Sequence, residues 1–132
     1  MLMMTSTRPV DRAGSVEVAE PGQEGAAIGL NLSSMIENVP AQDWETWIDS
    51  TRGAVLDIRE PFEWEQGILP DAMLIPMGEI PERVGELDTD LAFLVVCRSG
   101  ARSQQVAAFL AMNGFTRVAN MAGGMKALGL QD

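Results

Sequence analysis

The fold of this chain is decided by residues 91–114, which read LAFLVVCRSGARSQQVAAFLAMNG. Residues 92–96 form a short apolar run of the kind that fills a strand covered on both faces. Cys97 ends this run, and a polar turn follows at residues 98–101. Arg102 then opens a segment with helical periodicity, which Gly114 can end as a left-handed cap. The stretch therefore predicts a buried strand that delivers a cysteine to the N-terminus of a helix.

The position of Cys97 favours a reactive thiolate. The first turn of a helix leaves backbone N–H groups without intrahelical partners, and such groups stabilise a negative charge. Helix N-termini and neighbouring cations lower the pKa of a cysteine from about 8.5 to about 3.5–7.5. Arg98 and Arg102 lie close to Cys97 in the chain. A buried, inert thiol is the alternative for a cysteine at a strand end, but two arginines and a glycine-containing turn favour the nucleophile.

Strands and helices alternate through the rest of the chain. A helix is predicted to begin at Pro40 and end at Gly53, with Trp44, Trp47 and Ile48 on its packed face. The other predicted strands are residues 34–38, 54–58, 73–75 and 117–121, and the other predicted helices are residues 61–66, 79–87 and 125–130. This alternation predicts an α/β fold with a parallel sheet, right-handed crossovers and helices on both faces. Ligands bind such sheets at the carboxyl ends of the strands, where Cys97 lies.

The composition limits the possible classes of function. The chain has 132 residues, 46% of them hydrophobic, and a formal net charge of −10, which suits one soluble domain and disfavours nucleic-acid binding. A single cysteine excludes an internal disulfide and favours a reducing, cytoplasmic location. The absence of histidine excludes an imidazole base and a His-ligated metal. No apolar run reaches the length of about 18 residues that a membrane span needs, so we expect no membrane partner.

Residues 1–32 are predicted to form a flexible arm, and residues 33–132 the folded domain. The first 32 residues contain four glycines, two prolines and no aromatic residue, and they show no sustained period. They also lack the charged and apolar regions of a secretory signal. An unstructured leader, or a start codon placed upstream of the true one, is favoured over a functional tail.

Four motifs in the expected order resemble the family of rhodanese-type sulfurtransferases. CRSGARS at residues 97–103 resembles the active-site loop of that family. DIREPFE at residues 57–63 resembles its second-strand signature, and GILPDA at residues 67–72, followed by Ile75 and Pro76, resembles the start of its next strand. Gly114 with Phe115, and GGM at residues 123–125, resemble its closing elements. The resemblance covers roughly residues 33–130.

This resemblance implies a fold, a reaction and a set of site residues. Rhodanese-like sheets have the strand order 1-5-4-2-3, which would bring Asp57 and Arg59 near the Cys97 loop. The implied reaction is attack of the Cys97 thiolate on the outer sulfur of a donor such as thiosulfate, followed by passage of that sulfur to cyanide or to a thiol, on a small molecule or on a protein. Arg98 and Arg102 would bind the donor's oxygens. No cofactor or metal is expected. The remaining loop residues, which would stabilise the persulfide, are Ser99, Gly100, Ala101 and Ser103.

The roles of the acidic and basic residues in and after the second predicted strand are left open. Asp57 is a carboxylate in an apolar strand and needs a partner; it either orients the loop or forms a structural ion pair. Arg59 either steers anions or pairs with a carboxylate such as Glu60 or Glu63. Glu63 and Glu65 are interpreted as a solvated face.

Two other functions compete with sulfur transfer. Cysteine phosphatases use Cys-x5-Arg, whereas Cys97 and Arg102 form Cys-x4-Arg, a loop one residue shorter and better suited to a single sulfur atom. A rhodanese-fold sulfur carrier or interaction module without turnover is the second alternative. The sequence also departs from the family, which commonly has His at the position of Ile68 and Gly at that of Asp71, and often Trp at that of Leu128.

Overall fold

The structure is a computed structural model that describes residues 36–132. Five strands form one sheet: β1 (Ile36–Pro40), β2 (Ala54–Asp57), β3 (Met73–Leu74), β4 (Phe93–Val96) and β5 (Val118–Ala122). Their order is β1-β5-β4-β2-β3, and every pair is parallel. This confirms the predicted α/β class and the strand order implied by the resemblance. The predicted arm, residues 1–32, lies outside the described residues, as do residues 33–35 of the predicted domain.

Helices cover both faces of the sheet. They are α1 (Trp44–Thr51), α2 (Pro61–Trp64), α3 (Ile80–Arg83), α4 (Ala101–Met112) and α5 (Gly124–Ala127). One core cluster joins the sheet to α3 and α4, and the other joins it to α1 and α5. The residues of β4 are apolar and fully buried because they contribute to both clusters. Within residues 36–132, no helix has the length and apolar character needed to cross a bilayer.

The predicted packing of the tryptophan-containing helix is confirmed, but its ends are not. Trp47 is buried, and Trp44 and Ile48 pack beside it against the sheet. Pro40 is the last residue of β1, and a 3-10 turn over Ala41–Asp43 separates it from α1. The helix ends before Gly53 because Arg52 already adopts a left-handed backbone conformation, with φ 57°.

The predicted helix at residues 79–87 is also divided. A 3-10 turn over Met77–Glu79 precedes the single turn of α3, and another over Val84–Glu86 follows it. Gly85 lies in the second 3-10 turn, and glycine is a poor residue for a helix interior. The last helix stops at Ala127, before Gly129, which has φ 75°.

The end of α4 follows the prediction. Gly114 adopts φ 90°, and the N–H of Phe115 donates to the carbonyl of Leu110 at 3.2 Å. These are features of a Schellman cap. With β4 before it and the cap after it, α4 is held so that its N-terminus lies at the carboxyl edge of the sheet.

Candidate active site

Cys97 directly follows the central strand β4 and is fully buried. Its backbone carbonyl accepts a hydrogen bond from the N–H of Met125, at 3.0 Å, which ties the residue to α5. Residues 98–100 form the turn that leads into α4. The predicted delivery of a cysteine from a strand to a helix N-terminus is therefore confirmed.

Two backbone N–H groups and one hydroxyl surround the sulfur of Cys97. The N–H of Gly100 donates to Sγ at 3.0 Å, and the N–H of Ser103 donates at 3.3 Å. The hydroxyl of Ser103 lies 3.3 Å from the same sulfur. Gly100 precedes α4 with φ 103°, a conformation that glycine adopts without strain. This turn aims its backbone N–H inward, so the loop forms a cradle of donors around one atom.

The cradle lowers the pKa of the Cys97 thiol. Burial alone raises this pKa, because the thiolate loses its hydration. The Ser103 hydroxyl and the N–H groups of Ser103, Gly100 and Ser99 act in the opposite direction, and the balance lies below the usual cysteine value. Hydrogen bonds of the loop, rather than the two neighbouring arginines, are thus the main cause of the lowering.

Arg102 forms a two-pronged ion pair with Glu63. Nη1 and Nη2 of Arg102 each lie 2.9 Å from one oxygen of the Glu63 carboxylate. Glu63 is only 4% exposed, so the prediction of a solvated face was wrong for Glu63, whereas Glu65 is exposed. The misreading arose because Glu63 lies on a short helix whose neighbours Pro61 and Phe62 are exposed.

The environment of Glu63 strongly favours its ionised form. The hydrogen bonds from Arg102 act first, burial opposes them, and the N–H of Glu60 and the Gln131 amide add further donors. Together they lower the pKa of Glu63 to about 2. The same pair raises the pKa of Arg102, with the Glu63 hydrogen bonds as its largest cause.

Asp57 and Arg59 form a buried ion pair behind the loop. Nη2 of Arg59 lies 2.7 Å from Asp57 Oδ2, and Arg59 is fully buried. The guanidinium also donates to the carbonyl oxygens of Glu63 and Gly67, at 3.2 and 2.8 Å. Of the predicted alternatives for Arg59, the structure shows pairing with a carboxylate, and the partner is Asp57 instead of Glu60 or Glu63.

Gln131 connects the two arginine pairs and was not predicted. Its Oε1 accepts from Arg59 at 3.1 Å, and its Nε2 donates to Glu63 at 2.8 Å. The side chain is buried, yet a glutamine near the end of a chain carries no motif that would reveal this. It completes a network from Asp57 through Arg59 and Glu63 to Arg102.

Arg98 lies at the surface of the loop. Its Nε donates to the backbone oxygen of Asp132 at 2.6 Å, and its side chain is exposed. The backbone carbonyl of Arg98 contacts the closing glycine motif, where a Cβ atom on Gly124 would lie 2.3 Å from that oxygen. Glycine at position 124 is therefore needed for the loop to pack against α5.

The far side of the cradle contains two asparagines. The Ser103 hydroxyl donates to Oδ1 of Asn120, and Nδ2 of Asn120 donates to Oδ1 of Asn38 at 3.1 Å. Asn120 is buried in β5 between apolar neighbours. An amide in the middle of a buried strand is a sequence signal that could have identified it.

Comparison with known proteins finds relatives of this chain. A sequence model of the Rhodanese-like domain matches residues 40–130. A sulfurtransferase of Allochromatium vinosum is 39% identical over 92 residues, which cover 69% of this chain and 86% of that protein. The thiosulfate sulfurtransferase GlpE of Pseudomonas syringae is 37% identical over 76 residues, covering 57% of this chain and 72% of that protein. A solved rhodanese-like domain protein from Staphylococcus aureus has a TM-score of 0.64 at 29% identity, covering 70% of this chain and 90% of that one.

Proposed function

The chain belongs to the family of rhodanese-like domains, its relatives from Allochromatium vinosum and Pseudomonas syringae are sulfurtransferases, and we propose that it moves a sulfane sulfur through a persulfide on Cys97. The proposed donor is a small anion such as thiosulfate. The proposed acceptor is cyanide in an assay and a thiol, on a small molecule or a protein, in the cell. The reaction needs no cofactor.

The observation that carries the proposal is the convergence of donors on Sγ of Cys97. Two N–H groups and one hydroxyl lie 3.0–3.3 Å from this sulfur. Such donors stabilise a thiolate before the reaction and an anionic persulfide after it, as an oxyanion hole stabilises an alkoxide. They also lower the pKa of the thiol, which increases the fraction of the nucleophile at neutral pH.

The proposed reaction has two displacement steps. The Cys97 thiolate attacks the outer sulfur of thiosulfate, a new S–S bond forms, and sulfite leaves with the electron pair of the broken S–S bond. The acceptor then attacks the outer sulfur of the persulfide, and Cys97 leaves as a thiolate. Each step has one nucleophile and one leaving group, so the cycle needs no redox partner.

The two arginines of the loop differ in how freely they can bind the anionic sulfur donor. The exposed guanidinium of Arg98 can meet an anion at the surface of the loop. The fork of Arg102 is directed to Glu63, so an anion there would share the guanidinium with a carboxylate. We therefore assign the first capture of the donor to Arg98, and to Arg102 the holding of α4 against α2.

The same pair disfavours phosphatase activity. A cysteine phosphatase uses a guanidinium fork to bind two oxygens of the phosphate, and this fork is occupied by Glu63 here. The Cys-x4-Arg loop also places its donors directly on Sγ, which suits a cargo of one atom.

Intact-protein mass spectrometry after incubation with thiosulfate tests the proposal. We expect the mass to rise by one sulfur atom, and this sulfur to disappear when cyanide is added, with formation of thiocyanate. Cys97→Ser is the matched control and should not gain sulfur. Protein that stays unmodified in thiosulfate and in a persulfide donor would refute the proposed function, and a persulfide that no acceptor discharges would favour a carrier without turnover.

A further inference from the structure

A line of polar side chains runs from Cys97 through the inside of the fold to the surface. Sγ of Cys97 lies 3.3 Å from the hydroxyl of Ser103, which donates to Oδ1 of Asn120. Nδ2 of Asn120 donates to Oδ1 of Asn38 at 3.1 Å. Ser103 and Asn120 are buried, whereas Asn38 is exposed. Asn38 and Asn120 are register partners in β1 and β5, so the pairing of the strands holds this end of the line in place.

The direction of hydrogen bonding along this line depends on whether the sulfur of Cys97 is protonated. A serine hydroxyl has one proton to donate. In the observed arrangement Ser103 donates this proton in a hydrogen bond to Oδ1 of Asn120, so the Ser103 oxygen is left to accept a hydrogen bond from the Cys97 thiol. A thiolate has no proton and needs the Ser103 hydroxyl as a donor. The thiol and the thiolate therefore require opposite directions.

We propose that Asn120 and Asn38 are positioning residues that reverse the direction of this line when Cys97 ionises. Rotation of the Asn120 carboxamide exchanges Oδ1 and Nδ2, which fill nearly the same space. Nδ2 then donates to Ser103, and Ser103 donates to the thiolate. The amide of Asn38 rotates likewise and donates to Oδ1 of Asn120. The proton of Cys97 leaves to solvent, and no proton passes along the line.

The choice of residue types supports this assignment. A carboxamide is the side chain that can donate at one end and accept at the other, and then exchange the two ends. Both directions leave each buried polar atom of Ser103 and Asn120 with a partner, which avoids the cost of an unsatisfied buried group. Asn38 is exposed and can exchange its hydrogen bonds with water, so the line ends where reversal is least costly.

The inference rests on the proposed function only because the thiolate is the reacting form of Cys97. Asn38→Asp provides the sharpest variant, since its carboxylate only accepts hydrogen bonds. The carboxylate would keep accepting the hydrogen bond from Nδ2 of Asn120, so Ser103 would keep donating to Oδ1 of Asn120 and the thiolate would lack its hydroxyl donor. We expect the pKa of Cys97 to rise by about 0.5–1, the value of one hydrogen bond. Asn38→Ala removes the acceptor, leaves the Asn120 amide able to rotate, and should cause no such rise.

The pKa can be measured on the full chain from the ultraviolet absorbance of the thiolate. The sequence contains one cysteine and no tyrosine, so no tyrosinate absorbance overlaps this signal. Cys97→Ser supplies the baseline, and no sulfur donor is needed, which separates this result from the outcome of the transfer assay. All variants retain the charged groups on the elements around Cys97 and beside Asn38, which are Arg98, Arg102 with Glu63, Glu60, the Asp57–Arg59 pair, Lys126 and the Glu37–Arg117 pair.

Two controls separate the effect of the hydrogen-bonded line on the pKa of Cys97 from the effect of the added negative charge. Asn113→Asp introduces the same charge at an exposed asparagine beyond the far end of α4 and should leave the pKa of Cys97 unchanged. In a Ser103→Ala background, Asn38→Asp should also have no effect, since the link to the sulfur is missing. An unchanged pKa in Asn38→Asp alone, or the same rise in the Ser103→Ala background, would overturn the proposal. Should Ser103→Ala not fold, an equal rise in Asn38→Ala and Asn38→Asp would overturn it as well.

Discussion

The sulfur of Cys97 is subject to two opposing effects whose balance decides its reactivity. Burial favours the neutral thiol, and the donors of Ser103 and Gly100 favour the thiolate. The donors prevail because the Ser103 hydroxyl acts together with backbone N–H groups at a helix start, whose directions are fixed before the charge forms. The proton on the Ser103 hydroxyl is the one donor that can turn away, which makes the asparagines behind it relevant to the chemistry.

Cys97→Ser should abolish sulfur transfer and keep the fold. A serine at this position can accept the same hydrogen bonds from Gly100 and Ser103, so the thermal midpoint should stay close to that of the unchanged protein. It cannot form a persulfide, and the chain contains no other cysteine. Thiocyanate formation from thiosulfate and cyanide measures the loss, and a rate near that of the parent would contradict the role of Cys97.

The lowered pKa of Glu63 predicts that the free energy of unfolding depends on pH. Its pKa is lowered from 4.5 to about 2, first by the hydrogen bonds from Arg102. A carboxyl group with a lowered pKa in the folded state stabilises the fold above its unfolded pKa, and this stabilisation is lost as the pH falls through the folded value. Glu63 should thus contribute up to about 3 kcal/mol near neutral pH, with most of the loss between about pH 5 and pH 2.

Urea denaturation of the parent protein and of Glu63→Gln measures this contribution. The glutamine keeps the size of the side chain but cannot pair as an anion with Arg102. We expect the difference in unfolding free energy between the two proteins to be large near neutral pH and to shrink toward about pH 2. A difference that is independent of pH would show that the charge of Glu63 is not its source.

At the scale of elements, β4 and α4 could be predicted from sequence, as could an ion pair as one alternative for Asp57 and Arg59, whereas the links of this pair to Glu63 and Gln131 could not. A fully apolar run, a glycine turn and a helical period are local signals, so Cys97 and Gly100 were placed correctly. Glu63 was misplaced because an acidic residue on a short helix resembles a solvated one until its partner, 39 positions away, is known. Gln131 lies 72 positions from Arg59, and no local pattern connects the two.

The start of α5 should hold the Cys97 loop in place as firmly as α4 does, because it packs against the backbone of Arg98. Gly124→Ala would place a Cβ atom 2.3 Å from the Arg98 carbonyl oxygen at a φ of 63°. We expect a loss of stability greater than the roughly 1 kcal/mol of left-handed strain, together with reduced sulfur transfer, because the backbone beside Cys97 must shift. Thermal unfolding and thiocyanate formation measure the two effects.

Gly129→Ala is a matched control for this substitution. Gly129 also has a left-handed backbone, with φ 75°, but its added Cβ atom would meet nothing within 4 Å. It should show the cost of backbone strain with sulfur transfer close to that of the parent. Equal effects of the two substitutions on transfer would argue against a special contact between Gly124 and the loop.

For the whole molecule, the site is assembled from one edge of the sheet. Residues from β2, α2, the turn after β4, the start of α4 and the last residues of the chain contribute to it. Parallel strands bring these segments together because their carboxyl ends share an edge. The network that ends at Arg102 and the line of polar side chains that begins at Ser103 reach α4 from different sides. Arg102 faces α2, and Ser103 faces β5.

Removal of residues 1–32 should leave stability and activity close to their full-length values. The composition of this segment offers too little apolar surface to offset the ordering of its backbone, at roughly 1–2 kcal/mol per residue. The match to the Rhodanese-like domain begins at residue 40, and the site contacts described above lie within residues 38–132. Thermal unfolding and the thiosulfate–cyanide assay compare the trimmed and full-length chains.

The competing expectation for this segment is that it packs against the domain and regulates access to the site. Val16, Val18, Ile28 and Leu30 are the residues that could make such contacts. Limited proteolysis of the full-length protein, followed by the same assay, separates the two cases. Rapid cleavage within residues 1–32 with no change in rate supports an independent arm. A trimmed chain that melts several degrees lower, or that changes its preference among sulfur donors, would place the domain boundary earlier in the sequence than residue 33.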